Sequence, residues 1–222
     1  MANLTNAAGT VQTDVDAVHK ALRVTAKPQD HGSNGHYAWG GFTGILPAAI
    51  AANSEIFQFR NAAATLCLIQ RVKISACVST TFFAAGVPVQ IDLIRSTSWS
   101  VAGTGGTAVA PAALLRKRNT FANSVIASGD MRIATTAALG AGTKTLDTYA
   151  LAAIAAPGPI TASLNGQIIA PDTTLFESPI SDGHYPLTLA QNEGFSIRAV
   201  AVPGTGTWTA TVAVEWIEVA SY

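Results

Sequence analysis

The sequence predicts an all-β fold in which two antiparallel sheets pack as a sandwich, and three observations predict it. Side chains alternate between apolar and polar over Leu66–Thr80, which is the period of a strand with one buried face. Turn signals such as Gln191–Gly194 and Pro203–Gly206 separate roughly ten strand-like segments. Strands do not alternate with helices, and no repeat of about 20–50 residues is visible, which argues against a parallel sheet, a solenoid or a propeller.

The first part of the chain reads as an arm followed by short strands. Residues 1–20 are small and polar, and we interpret them as an N-terminal arm that precedes a single domain over residues 21–222. Alternation then predicts strands at Ala21–Pro28, Tyr37–Trp39, Phe42–Leu46 and Glu55–Arg60.

Leu66–Thr80 is the clearest strand of the sequence. Its even-numbered face carries Leu68, Val72, Ile74 and Val78, which we expect to face the core. The same pattern resumes over residues 89–95.

Residues 96–148 interrupt this pattern and predict a long mid-chain insertion. Small residues predict loops at Ser96–Pro111 and Ala137–Lys144, with a short helix at Ala112–Thr120 and a short strand at Met131–Ala134 between them. A long insertion of this kind, in a chain otherwise rich in strands, is usually functional or disordered.

The last third returns to strands. We expect them at Tyr149–Ala155, Gln167–Ile169, Thr173–Glu177, Leu187–Ala190, Phe195–Val202 and Thr207–Val219. In the final strand, one face carries Trp208, Val212, Val214 and Trp216. Chain length and the insertion favour a jelly-roll-like arrangement, although the pattern alone does not separate it from other Greek-key sandwiches.

Charge is scarce in this chain. Charged residues make up 12% of the 222, against a usual share of about 25%, and Lys+Arg and Asp+Glu are 13 each. A neutral balance gives no long-range attraction to nucleic acid or to an anionic membrane. The apolar runs Ile45–Ala52 and Tyr149–Pro157 are far shorter than the roughly 18 residues of a membrane-spanning helix. We therefore expect other protein chains to cover the surplus apolar surface.

Cys67 and Cys77 lie in one predicted strand. About ten residues of strand span about 33 Å, whereas a disulfide requires Cα atoms within about 7 Å. We therefore expect no intrachain disulfide between them, and free thiols suit synthesis in a reducing compartment.

No motif predicts catalysis, and we expect no enzyme activity, cofactor or metal. Gly103–Ala108 has the letters of a dinucleotide-binding loop but does not lie between a strand and a helix. Gly140–Thr145 lacks the Gly-Lys-Ser/Thr order of a phosphate-binding loop. His31, His36 and His184 are predicted in loops and show no metal-ligand spacing.

One dense basic run lies inside the predicted insertion. It reads either as a solvated turn or as a docking contact to an acidic protein surface, and the absence of interleaved aromatic residues disfavours nucleic acid. The candidate partner-contact residues are Leu114, Leu115, Arg116, Lys117 and Arg118.

Three parts of the sequence carry a resemblance to a known class of proteins. Ala21–Pro28, Gly44–Arg60 and the ending from Asn192–Arg198 to Val214–Trp216 together resemble virion structural proteins of tailed bacteriophages, over roughly residues 20–222. The resemblance implies a jelly-roll-like capsid decoration (cement) protein or head fibre, made in the host cytoplasm and located in the virion. It implies a major capsid protein or another virion protein as a partner, and it carries over no functional residue.

Low charge further predicts a homo-oligomer, with a trimer slightly favoured over a dimer, and neither nucleic acid nor membrane as a partner. The alternative function is a carbohydrate- or receptor-binding β-sandwich module of a phage tail or fibre. That function requires an exposed aromatic platform, for which Trp39, Trp99 and Trp208 are candidates, although such residues more often lie in a core or interface. An enzyme on a β scaffold is a third hypothesis, supported by no motif.

Overall fold

The computed structural model describes residues 35–47, 49–80, 88–110, 123–156, 168–178, 186–201 and 204–220. Every described residue belongs to the compact unit Gly32–Tyr222. The predicted arm, the predicted strand at Ala21–Pro28 and the predicted helix at Ala112–Thr120 lie outside the described residues.

The described residues form strands and no helix. The strands are β1 (Gly35–Phe42), β2 (Leu46–Pro47), β3 (Ser54–Asn61), β4 (Leu66–Val78), β5 (Val89–Val101), β6 (Thr107–Val109), β7 (Met131–Ile133), β8 (Thr143–Leu146), β9 (Ala152–Ala156), β10 (Ile168–Glu177), β11 (Leu187–Leu189), β12 (Glu193–Ala201) and β13 (Thr207–Val219). No helix in this part of the chain has the length and hydrophobicity that crossing a bilayer requires.

The strands form two antiparallel sheets, which confirms the predicted all-β fold. The first sheet has the order β1-β13-β4-β10, with β2 paired to β13 and β11 paired to β4. The second has the order β6-β7-β3-β12-β5-β8, with β9 paired to β5. Every pairing between these strands is antiparallel.

The inner faces of the two sheets share one apolar core. Trp39 of β1 stacks on Phe57 of β3 with ring centroids 5.5 Å apart, and Phe59 of β3 meets the edge of Trp216 of β13 at 5.3 Å. Aromatic pairs at these distances add to the stabilisation that burial of their surface provides. Such contacts between strands of different sheets are those of a β-sandwich.

The final strand follows the sequence prediction closely. β13 has the predicted bounds, and Trp208, Val212, Val214 and Trp216 are all buried in the shared core. It pairs with β4 along nearly its whole length. Because β13 lies inside the first sheet with neighbours on both sides, its buried face is long, and that makes its alternation readable in the sequence.

β4 departs from the predicted alternation at a β-bulge. Trp216 pairs with Ile69 and Glu215 pairs with Arg71, so Gln70 is an extra residue in β4. A single extra residue moves every earlier side chain to the opposite face. Val72, Ile74 and Val78 face the core as predicted.

Leu68 is buried but on the other side of the sheet, which corrects the prediction that it faces the shared core. It packs with Ile217 and Val219 in a separate small cluster, while Cys67 and Ile69 take the core positions instead. Cys67 and Cys77 are free thiols, and the bulge places them on opposite faces of the strand.

The predicted mid-chain insertion supplies strands to the second sheet. β5 continues six residues beyond the predicted end at Arg95, and β8 forms where small residues predicted a loop. The short strand predicted at Met131–Ala134 is confirmed as β7. β8 escapes sequence detection because it is an edge strand whose side chains are exposed or half-buried, so it has no apolar alternation.

Candidate assembly surface

Several residues singled out by the sequence do not form a described surface. Leu114, Leu115, Arg116, Lys117 and Arg118 lie outside the described residues, so their role as a partner contact stays a prediction. The same is true of His31 and His184. Within the described ranges, no three His, Cys, Asp or Glu side chains come together in a group that could hold a metal ion.

The tryptophans proposed as a sugar-binding platform belong mainly to the interior. Trp99 and Trp208 are buried, and Trp208 is part of the shared core. Trp39 is half-buried and lies against Phe57. These three side chains therefore do not present one exposed aromatic platform.

The outer face of the first sheet presents a patch of exposed and half-buried side chains. Because Ala210 and Val212 of β13 face the core, Thr209 and Thr211 face outward. Thr211 pairs with Phe42 on one side and Ser75 on the other, and Thr209 pairs with Cys77, which in turn pairs with Ile168. We call this set the open patch, and its members are Phe42, Ser75, Cys77, Ile168, Thr209 and Thr211.

Two large apolar side chains flank the open patch. Phe42 on β1 is 75% exposed and Ile168 on β10 is 66% exposed. These are the two terminal strands of the order β1-β13-β4-β10, so three strand spacings, about 14 Å, separate them. The patch thus combines two exposed apolar side chains with short, uncharged ones between them.

The open patch carries no ion pair. The charged residues of this face lie further along the same strands, where Lys73 Nζ contacts Asp172 Oδ2 at 2.8 Å and Arg71 pairs with Glu215. Each of those charges has its partner on the neighbouring strand. The patch itself therefore offers apolar surface and hydroxyl groups to a partner, without a charge to be buried.

The chain beside Phe42 is shaped by a close approach between the sheets. The Thr43 amide donates to Ala210 O at 2.8 Å, and the Gly44 amide donates to Ala134 O at 3.2 Å. A Cβ on Gly44 would lie 2.5 Å from Thr135 O, so only glycine fits there without a shift of backbone. The turn leaves Ile45 about half exposed, near Phe42 in the sequence and at the same edge of the sheet.

The outer face of the second sheet is closed by the protein's own chain. Gln58 of β3 and Ser196 of β12 pair across that face, and both are buried although they point away from the core. Residues 99–106 and 138–144, which we call the flap, contact them. A Cβ on Gly103 would lie 2.0 Å from Gln58 Oε1, which shows how closely the flap sits on the sheet.

A buried polar network joins the flap to the second sheet. Glu55 Oε2 accepts hydrogen bonds from Lys144 Nζ at 2.5 Å, Gln58 Nε2 at 2.5 Å and Ser196 Oγ at 2.9 Å. Lys144 Nζ also lies 3.0 Å from Ser196 Oγ and 3.8 Å from the centre of a Trp99 ring. Burial lowers the pKa of Lys144, and the neighbouring Glu55 carboxylate opposes that shift.

A hydroxyl beside a lysine amine has the composition of a nucleophile and its base. Ser196, however, is fully buried, and the side chains of Lys144 and Glu55 are 2% and 6% exposed. A substrate has no access to the hydroxyl in this arrangement, so the network supports attachment of the flap and not turnover.

A second buried carboxylate lies at the end of β13. Glu218 accepts hydrogen bonds from Ser124 Oγ at 2.5 Å, Trp216 Nε1 at 3.0 Å and the Val125 amide at 3.0 Å. Burial raises the pKa of Glu218, although these donors oppose the shift. Burial and the Glu218 charge together raise the pKa of Tyr37 to about 12.

Neither network is visible in the sequence pattern. Lys144 belongs to a small-residue segment that predicts a loop, and Glu55 belongs to a predicted strand without an assigned role. In a chain with so little charge, a single lysine within a Gly/Ala/Thr segment is the signal that points to a buried partner.

No family model matches this chain, and neither a curated protein nor a solved structure is significantly similar to it.

Proposed function

We propose that this chain is a structural protein that assembles with copies of itself through the open patch and decorates or stabilises a larger particle, a phage capsid. The observation that carries the proposal is the uncharged open patch, flanked by Phe42 and Ile168, in a chain that is 12% charged. The virion setting comes from the sequence resemblance alone.

A second copy of this chain is the partner that the open patch fits best. In a two-fold contact, the same patch of each molecule lies on both sides of the interface. A charged side chain of the patch near the axis would therefore lie opposite the identical charge of the other molecule. The patch has no ion pair, and the chain has equal numbers of basic and acidic residues, so self-contact brings no net repulsion. Contact would instead bury Phe42 and Ile168, which are costly to leave in water.

Binding to a particle would stabilise it by mass action. A protein that binds the assembled state of a capsid but not its separated subunits shifts the equilibrium toward assembly. The predicted attachment points are the N-terminal arm and the basic run Arg116–Arg118, which stay predictions. The carbohydrate-binding alternative has less support, because Trp99 and Trp208 are buried.

Self-association is tested by mass photometry on the full chain and three variants. We expect an oligomer for the unmodified chain and a shift toward monomer for Phe42→Asp and Ile168→Asp, since a carboxylate in the contact would be buried without a partner. Tyr149→Asp is the matched control, because Tyr149 is 83% exposed but lies beyond β8, in the loop before β9. A monomer at every concentration of the unmodified chain, or variants that associate as it does, would reject the open patch.

Particle binding needs a separate test. Capsids that lack this protein are sedimented with the unmodified chain, with a chain lacking residues 1–18, and with a chain in which Arg116, Lys117 and Arg118 are changed to Glu. We expect reduced co-sedimentation of both variants. Equal binding of all three would place the attachment elsewhere, and no binding by the unmodified chain would reject the capsid as its partner.

A further inference from the structure

We propose that Lys144 and Gln58 form an intramolecular isopeptide bond, with Glu55 as the group that transfers the proton between them. The bond would covalently attach the flap to the second sheet. It is independent of the self-association argued above, because none of these residues belongs to the open patch.

The three side chains form one compact arrangement. Glu55 Oε2 accepts a hydrogen bond from Lys144 Nζ and another from Gln58 Nε2, each at 2.5 Å. The amine that would attack and the amide nitrogen that would leave are therefore neighbours on one carboxylate oxygen, no more than 5.0 Å apart. Amide exchange requires a group that carries a proton from the attacking nitrogen to the departing one. The Glu55 carboxylate lies between these two nitrogens.

The surroundings exclude water from this arrangement. Gln58 is 1% exposed, and the side chains of Lys144 and Glu55 are almost as deeply buried. The Trp99 ring covers Lys144 Nζ at 3.8 Å. Exclusion of water protects the reacting groups from hydrolysis and strengthens the interactions among them.

The lysine is prepared to act as a nucleophile. Burial lowers the pKa of Lys144, and the nearby Arg198 guanidinium lowers it further, while Glu55 raises it. Transfer of one proton from Nζ to Glu55 replaces two buried charges with two neutral groups, and low polarity favours that exchange. The neutral amine then has a free electron pair.

Among the described residues, the Gln58 side-chain amide is hydrogen-bonded through its nitrogen and not through its oxygen. Gln58 Nε2 donates to Glu55 and also to Gly140 O at 3.1 Å, which fixes the orientation of the group. Within the described part of the chain, no group donates a hydrogen bond to Gln58 Oε1.

The reaction balances with the groups present. The Lys144 Nζ electron pair forms a bond to Gln58 Cδ, and the bond from Cδ to Nε2 breaks. Glu55 passes the protons that Nζ loses to the departing nitrogen, which leaves as ammonium, and Glu55 ends as a carboxylate. No oxidant, reductant or activated co-reactant is required, and the chain loses one ammonia.

The decisive measurement is the intact mass of the purified, denatured chain. We expect a mass below that calculated from the sequence by one ammonia, about 17 Da, and a proteolytic fragment in which the Lys144 and Gln58 peptides are joined. An unmodified mass would overturn the proposal. A loss of one water, about 18 Da, would place the bond at Glu55 and would also overturn it.

Variants separate this bond from other losses of ammonia, such as cyclisation at an asparagine. Lys144→Arg and Glu55→Gln should both restore the full mass. Lys73→Arg is the matched control, since Lys73 also contacts a carboxylate but lies on the partly exposed face of the first sheet. An unfolded variant would also keep its full mass, so circular dichroism must show that Lys144→Arg or Glu55→Gln is folded before its mass is counted. Persistence of the loss in Lys144→Arg, or joined peptides that lack Gln58, would overturn the assignment.

Discussion

At the scale of single residues, several of the few charges in the described part of the chain form ion pairs between residues distant in sequence. Lys144 pairs with Glu55, Arg198 with Asp92 at 3.0 and 2.5 Å, and Arg60 with Asp130 at 3.0 Å. These pairs are largely buried, so removing one partner leaves an uncompensated charge in the interior. Each residue of such a pair is therefore costly to change alone.

The inner and outer faces of β4 should respond differently to truncation. Ile74 is buried in the shared core, and we expect Ile74→Ala to lower the free energy of unfolding by about 2–5 kcal/mol. Lys73, its neighbour on the outer face, pairs with an exposed carboxylate, and Lys73→Ala should cost less than about 1 kcal/mol. Urea unfolding of the two variants measures both costs. Equal costs would mean that both faces of β4 are buried.

Glu218 should make stability depend on pH in a defined direction. Its pKa is raised above the usual 4.5 by burial, so folding favours the protonated form. The stability that the protonated Glu218 side chain contributes to the folded state is therefore fully present below about pH 4.5. It is lost as pH rises through the raised pKa. Glu218→Gln removes this titration.

The measurement is the free energy of unfolding of both chains at several pH values. We expect the stability of the unmodified chain relative to Glu218→Gln to decrease as pH rises from about 4 to about 7. Glu177→Gln, on the exposed end of β10, controls for loss of one carboxylate. A relative stability that instead increases with pH would show that the hydrogen bonds from Ser124, Trp216 and Val125 outweigh burial.

At the scale of elements, the bulge at Gln70 decides which side chains of β4 reach the core. Before it, Cys67 and Ile69 face the core; after it, Val72 and the following even-numbered residues do. The bulge also turns Leu68 outward, where Ile217 and Val219 meet it. One inserted residue thus gives β4 an apolar contact on each face.

Ile69 provides the test of the bulge. Uninterrupted alternation from Ile74 would place Ile69 on the outer face, whereas the bulge places it in the core. We therefore expect Ile69→Ala to cost about 2–5 kcal/mol, and Ser75→Ala, another odd-numbered position, to cost less than about 1 kcal/mol. Both values come from urea unfolding, and a cost at Ile69 as small as that at Ser75 would argue for a regular strand.

At the scale of the whole molecule, the two sheets have different outer faces. The second sheet is covered by the flap through Lys144 and Gln58, while the first presents the open patch. The outer face of the second sheet is thus stabilised within the chain. On the outer face of the first sheet, Leu68, Ile217 and Val219 are buried, and the exposed part is the open patch. Under the self-association proposed above, this asymmetry would give the contact a single direction.

The open patch predicts how self-association responds to salt. Because the patch carries no ion pair, raising the salt concentration from about 0.05 to about 0.5 M should change the self-association constant by less than about threefold. Docking of the basic run Arg116–Arg118 to an acidic surface should instead weaken strongly over the same range. Sedimentation velocity at both salt concentrations measures the first effect. Dissociation in high salt would mean that charged residues make the contact.

The sequence by itself determined the fold class and the inward faces of the long strands. Alternation over β13 and the second half of β4 is a local consequence of strand geometry, so Trp208, Val212 and Ile74 could be assigned to the core without knowing their neighbours. Low charge also predicts surface that other chains cover, and that stays a prediction.

Only the tertiary structure decided the bulge at Gln70, the edge strand β8 and the burial of Lys144 against Glu55. A bulge depends on the register of the partner strand, which no local pattern records. An edge strand of exposed residues has no apolar period, so its pairing is set by the backbone of β5. The two charges of the Lys144–Glu55 pair lie far apart in the chain, and each has a stable place in the interior only because the fold brings the other to it.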